Sequence, residues 1–169
     1  MSRPAVADSA EFYHRYINYT EGDSAKEIIT NHSKGIHDFY NSLPEEKANF
    51  SYAEGKWTIK QLLQHIIDAE RIFTYRALRI ARKDKTPLPG FDENAYAEND
   101  SSSNRTLQSL KEEFNAVRAS TDLLVHSFND TQLNENGTAS DKNITANALC
   151  FIIYGHLLHH KLIIEERYL

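Results

Sequence analysis

The chain has 169 residues, 40% of them hydrophobic and 25% charged, with a formal net charge of −5 at pH 7. That length suits one domain with a single buried core, and the composition is globular, which excludes wholesale disorder. The acidic balance argues against a general nucleic-acid binder, which would need a basic face, and a lone cysteine excludes a disulfide framework or a Cys-rich zinc knuckle.

The opening residues show no basic stretch followed by an apolar one, and the apolar runs read as too short and interrupted to span a bilayer. The expectation is a soluble, cytoplasmic, single-domain protein over 1–169, with no nucleic-acid or membrane partner. Its first 23 residues would form an extension, with a short helix over Phe12 to Tyr19.

Glycine and proline are few and lie between periodic segments, so the pattern is helical and no strand is expected. The first long helix is predicted from Ser24 to Leu43, with Ile28, Ile29, Ile36, Phe39, Tyr40 and Leu43 inward, and Pro44 stops it. The second starts at a capping box, Thr58-Ile-Lys-Gln61, and runs to about Lys83, with Trp57 able to staple its first turn. Its apolar positions, Leu62, Ile66, Ala69, Phe73, Ala77 and Ile80, recur at helical spacing.

A long irregular connection rich in Pro, Asn, Asp and Ser follows, from Thr86 to about Arg105. Loops of that length are uncommon unless functional. The third helix is predicted from Thr106 to Asn129, with Leu107, Leu110, Phe114, Val117, Leu124 and Phe128 inward. A polar loop from Asp130 to Asn143 leads into the fourth, Ile144 to Tyr168. Four such helices suit an all-α four-helix bundle with a long crossover between the second and third, which can leave those two parallel.

The fourth helix contains Gly155-His-Leu-Leu-His-His160. His156 and His160 lie about 40° apart on a helical wheel, one turn above the other. They sit amid Leu149, Ile152, Ile153, Ile163 and Ile164, while His159 points to a flank. Two neutral imidazoles in an apolar stripe need polar partners, and a divalent metal ion satisfies both nitrogens at this spacing. Eight histidines placed at random would still yield about 0.4 such pairs, so a hydrogen-bonded core pair is the competing reading. His65, on the second helix, is a third imidazole that a facing helix can bring to the pair; by itself it reads equally as an edge residue.

Three segments in order, Trp57 to Arg71, Pro87-Leu-Pro-Gly-Phe-Asp92 and Gly155 to His160, resemble the DinB/YfiT-like superfamily of candidate metalloenzymes. The resemblance runs from about Ser24 to the C-terminus. It implies a four-helix bundle with the unusual crossover, often dimeric. It also implies a divalent ion, zinc or nickel in many members, held at the positions of His65, His156 and His160; iron and copper suit the same donor set.

Three neutral ligands leave a coordination position open and keep the full charge of the ion, so a thiol or a water can be activated there. The resemblance implies a thiol S-transferase using a low-molecular-weight thiol, or a hydrolase, acting on a small molecule. Transfer is preferred, and the competing class is a non-catalytic metal-binding or stress-response bundle. The Pro87 to Asn99 segment would shape the substrate mouth.

Asp68 and Glu70 read as solvated, with Asp68 orienting a ligand from outside as the alternative, and Arg76 reads as a salt-bridge partner, with reception of an anionic cosubstrate as its alternative. Cys150 reads as a core residue, and His14, His32, His37 and His126 as structural or surface groups. Phe151, Tyr154 and Leu158 form a second apolar arc that needs cover, from another helix or from the second subunit of a homodimer.

Overall fold

The structure, a computed structural model, describes residues 1–169. Helix α1 (His14–Tyr19) follows two short 3-10 turns. Helices α2 (Ala25–Asn41), α3 (Ile59–Ala81), α5 (Leu107–Ser127) and α7 (Ala146–Arg167) form the bundle. Helix α4 (Glu93–Asn99) lies in the crossing from α3 to α5, and α6 (Asp130–Leu133) precedes a hairpin of β1 (Asn136–Ala139) and β2 (Lys142–Thr145).

The long helices start where side-chain oxygens accept from otherwise unpaired backbone N–H groups. Ser24 accepts from Glu27, Thr106 from Ser109 and Thr145 from Ala148. At α3 the box is reciprocal: Gln61 N donates to Thr58 Oγ1 at 3.2 Å, and Thr58 N donates to Gln61 Oε1 at 3.0 Å.

Side-chain pairings give the directions of the helices. Arg105 reaches Gln64, Arg71 reaches Glu113 and Thr74 meets Thr121, so positions rise together and α3 runs parallel to α5. Asn41 pairs with Asn115 and Ser33 with Asp122, so α2 and α5 are antiparallel. Trp57 accepts from Tyr168 while His65 meets His156, so α3 and α7 are antiparallel as well. The expected crossover is therefore present, and it carries the chain back along the bundle.

The crossing differs from the expected irregular loop. Asp92 Oδ1 accepts from Asn94 and Ala95 and caps α4, and a 3-10 turn follows at Ser102–Asn104. The expected polar loop before the fourth helix likewise holds the hairpin, whose strands are too short to show a period-two pattern. Leu88 N donates to Thr138 O at 2.9 Å and Ser140 N to Leu88 O at 3.0 Å, which ties the crossing to β1. Because β2 runs to Thr145, α7 begins two residues later than expected.

From Ala146 to Leu157 helix α7 is buried on all sides, and it is the centre of the molecule, packed by α1, α2 and α3. By length and composition it would pass as a membrane span, against the expectation from the sequence, but most of that stretch is buried inside the protein. Its second arc is covered within the chain. The Arg3 guanidinium lies 5.2 Å from the Phe151 ring centre, that of Arg118 lies 4.6 Å from Tyr154, and Leu158 packs against the core. The face that raised the expectation of a homodimer is thus met intramolecularly.

Two charged residues also depart from the solvated or apolar pattern. Glu70, read as solvated, is 2% exposed and accepts from Arg118 at 2.7 Å; Arg118, outside the inward set expected for α5, is 5% exposed. Opposite charges on facing helices satisfy one another there. Val117 and Leu124, expected inward, are only partly buried against the core.

Candidate metal centre

Helices α3 and α7 bring His65, His156 and His160 together. The Nε2 atoms of His65 and His156 are 3.2 Å apart, those of His160 and His156 are 3.0 Å apart, and all three ligand nitrogens lie within 4.8 Å of one another. A tetrahedral ion with metal–nitrogen bonds of about 2.05 Å separates its donors by about 3.3 Å, so the observed spacings match a shared ion. Without a cation, the single Nε2 of His156 would have to serve two neighbours at once, which one lone pair or one proton does poorly. No carboxylate or thiol belongs to the group.

Burial keeps these imidazoles neutral, the form that ligates metals. It lowers the His65 pKa from 6.5 to about 4. His156 and His160 are held well below the ordinary value by burial first and by neighbouring histidines second. The Nδ1 of His160 is buried without a hydrogen-bond partner. Aromatic rings pack against the cluster. Trp57 lies 4.8 Å from the His65 ring centre, and Phe73 and Tyr16 each meet His156 edge-on at 5.6 Å.

Gly155 places α1 over the cluster. A Cβ there would lie 1.9 Å from the carbonyl oxygen of Tyr16, so only glycine admits the α1 backbone at this crossing. Tyr16 consequently lies over His156 and His159, and Tyr13 beside it packs on Phe73. A cavity of about 360 Å³ opens beside them, lined by all three histidines and by Arg15, Arg76 and Glu93 among others. A second cavity, about 250 Å³, lies beyond Trp57 and His160.

The crossing supplies Phe91 and Glu93 to the first cavity and Asn94 to the second, as expected of a segment at the mouth. His159 also lines the first cavity, but it stacks on Tyr19 at 5.7 Å instead of joining the cluster. Asp68 accepts from Gln64 and lies near Arg71, away from any histidine, so it orients no ligand. Cys150 is fully buried with its thiol pushed up to about 12, as a core residue should be. His14 pairs with backbone oxygens, His32 accepts from Glu21 N, and His126 is exposed.

Two expectations fail at the cavity. Arg76 forms no salt bridge: it is 2% exposed and donates to Pro89 O at 2.6 Å and Ser140 Oγ at 3.2 Å. Ser140, read as part of a plain loop, holds a φ of +51° beside Asp141 at +60°, conformations that two consecutive non-glycine residues rarely adopt. Nothing in the local sequence announces that turn, since neither Ser140 nor Asp141 is a glycine or an asparagine.

A bundle with parallel α3 and α5 and three converging imidazoles beside an open cavity defines a helical fold with a metal-ligand type of cluster. The chain belongs to the DinB superfamily, whose family pattern matches residues 31–164. A curated protein of Oceanobacillus iheyensis, named as a candidate metal-dependent hydrolase, is 34% identical over 70 residues. That match covers 41% of this chain and 40% of the relative, well under half the length of either.

Among solved structures, YfiT from Bacillus subtilis, described as a probable metal-dependent hydrolase with an unusual four-helix bundle topology, superposes with a TM-score of 0.69. It shares 18% identity over 96% of this chain and 89% of YfiT. A mycothiol-dependent maleylpyruvate isomerase superposes with a TM-score of 0.64 at 13% identity, over 89% of this chain and 59% of that one. At these identities the superpositions speak for the fold alone.

Proposed function

We propose that the chain is a metal-dependent enzyme in which His65, His156 and His160 hold one divalent ion, zinc or nickel, and present it to a small-molecule thiol. The observation that carries this reading is the convergence of three neutral Nε2 donors at the wall of an open cavity. Three neutral donors and no acidic one are the donor set of a catalytic site with a free position, whereas closed structural sites take a fourth protein ligand. A divalent ion bound there supplies Lewis acidity that lowers the pKa of a thiol or water bound to it.

The remaining groups do the positioning. Trp57, Phe73 and Tyr16 wall the histidines with aromatic surface along the cavity. Arg15 and Arg76 give the cavity positive charge. Its one carboxylate, Glu93, is exposed at the rim, so no buried general base stands by to deprotonate a water. A thiol needs less help because its proton leaves near neutral pH, which favours S-transfer: a carbon–sulfur bond forms, the bond to the leaving group breaks, and the thiol proton departs to solvent.

Hydrolysis is the second reading, and it is favoured by the names given to YfiT and to the Oceanobacillus relative. Elemental analysis of purified protein beside His65→Ala and His160→Ala tests the metal assignment. Close to one equivalent of metal is expected in the parent and little in either variant; equal metal in all three overturns the ligand set. Loaded protein is then offered low-molecular-weight thiols with monochlorobimane, and separately a series of aryl esters and amides. Thiol consumption without hydrolysis supports transfer, and the reverse result assigns hydrolysis.

A further inference from the structure

The same cavity holds a charge that nothing in the protein neutralises. Arg76 is carried on α3 three turns beyond His65 and is almost fully buried, yet no carboxylate lies within ion-pair distance. The comparison with Arg118 is direct: equally buried, Arg118 is matched by Glu70 and Asp122. A guanidinium removed from water is normally retained only with an anionic partner.

Arg76 is held from two sides by segments that come from elsewhere in the chain. Pro89 in the crossing and Ser140 in the strained hairpin turn both accept from Nη2. Its other nitrogens make no hydrogen bond to backbone or carboxylate, and the neutral Tyr13 phenol is the guanidinium's remaining side-chain neighbour, within hydrogen-bonding influence of it. Burial raises the Tyr13 pKa, so that phenol stays neutral and offers no compensating charge. Arg15 adds a second cation to the cavity, and the exposed Glu93 is the single acid lining it. The planar fork of a guanidinium matches a carboxylate in two parallel hydrogen bonds.

We propose that Arg76 anchors the carboxylate of a small organic anion, so that the site takes a carboxylated ligand with its reactive end toward the three histidines. This rests on the reading of the site given above and narrows it to a substrate class. The cavity, about 360 Å³, accommodates a molecule of that size. The carboxylate can belong either to the thiol or to the electrophile, and the chemistry at Arg76 is the same for both.

The test uses cobalt-loaded protein, with the absorption of the cobalt ion and the fluorescence of Trp57, the chain's single tryptophan and part of the cavity wall, as independent signals. One arm compares 3-mercaptopropionate with 3-mercaptopropanol, and the other compares crotonate with crotonamide. A preference of about tenfold or more for the acid is expected in at least one arm, the discrimination of a charge-assisted hydrogen-bonded pair. The arm that shows it identifies which substrate carries the carboxylate.

Arg76→Gln is expected to abolish that preference while cobalt content and binding of the neutral partner stay unchanged. If that variant does not fold, Arg76→Lys keeps the charge without the fork and is expected to weaken the preference by several-fold. Equal binding of acid and neutral partner in both arms, or a preference that survives Arg76→Gln, overturns the proposal. Failure of the metal reading looks different: cobalt is then not taken up, while Trp57 fluorescence in metal-free protein still reports whether carboxylates bind at Arg76.

Discussion

The Nε2 atoms of His65 and His156 stand 3.2 Å apart although 91 positions separate them in the chain. Two neutral imidazoles pointing at each other in a buried setting gain little alone, and a shared cation turns the contact into a source of stability.

Metal addition should therefore raise the stability of the folded protein. With free zinc at about a thousandfold over Kd, the gain is about 4 kcal/mol, which for a chain of this size moves the thermal midpoint by about 10 °C. Scanning fluorimetry of chelated and zinc-loaded protein measures it. His156→Ala should show a far smaller rise, since loss of a direct ligand should weaken affinity by more than about 100-fold, beyond the usual effect of an outer partner.

The metal-free protein should be acid-sensitive in a defined window. Burial depresses the His65 pKa from 6.5 to about 4, so the unfolded chain takes up a proton earlier than the folded one as pH falls. Stability from this residue is complete above about pH 6.5 and is lost progressively from there through about pH 4. His156 and His160, also depressed by burial, act in the same direction. Urea midpoints of chelated protein should fall between about pH 7 and pH 5, and His65→Gln should lessen the slope. A midpoint that climbs as acid is added would contradict this.

Gly155→Ala should be costly despite alanine's better helix propensity. The added methyl would meet Tyr16 O at 1.9 Å, so α1 must move off α7. Overpacking of this kind costs about 1–3 kcal/mol, read as a lower urea midpoint. Displaced Tyr16 should also alter access to the histidines, visible as faster metal removal by a chelator.

The Glu70–Arg118 pair predicts an asymmetry. Arg118→Met leaves Glu70 buried without its cation and should destabilise by about 3–5 kcal/mol. Glu70→Leu combined with Arg118→Met removes the stranded charge and should recover much of that loss, part being retained because Asp122 and Tyr154 also lean on Arg118. Metal content should be unaffected in both, since neither residue touches the histidines.

Cys150 should stay silent to thiol reagents in native protein and react only on unfolding. It is fully buried and its thiol is pushed up to about 12, so almost no thiolate exists near neutrality. Titration with a chromogenic disulfide, with and without denaturant, checks it.

The sequence by itself determines local chemistry. The Thr58 and Gln61 capping box, the spacing of Leu62, Ile66, Phe73 and Ile80, and the same-face placement of His156 and His160 all follow from backbone hydrogen bonding and helical periodicity over a few residues. The length of the segment between α3 and α5 was likewise enough to allow a crossover and hence two parallel helices. Other features depend on atoms far apart in sequence. The hairpin at Asn136–Thr145 is tied to the crossing through Leu88, and its Ser140–Asp141 turn lacks the Asn-Gly or Gly residues that announce such a turn. Glu70 could enter the core only because Arg118 meets it from another helix, while Arg76, which looked like a partner for some acid, found none. Periodicity says which face a side chain is on; only the packed bundle says which charge stands opposite, because electrostatic compensation inside a protein acts over a few ångströms of space and takes no account of position along the chain.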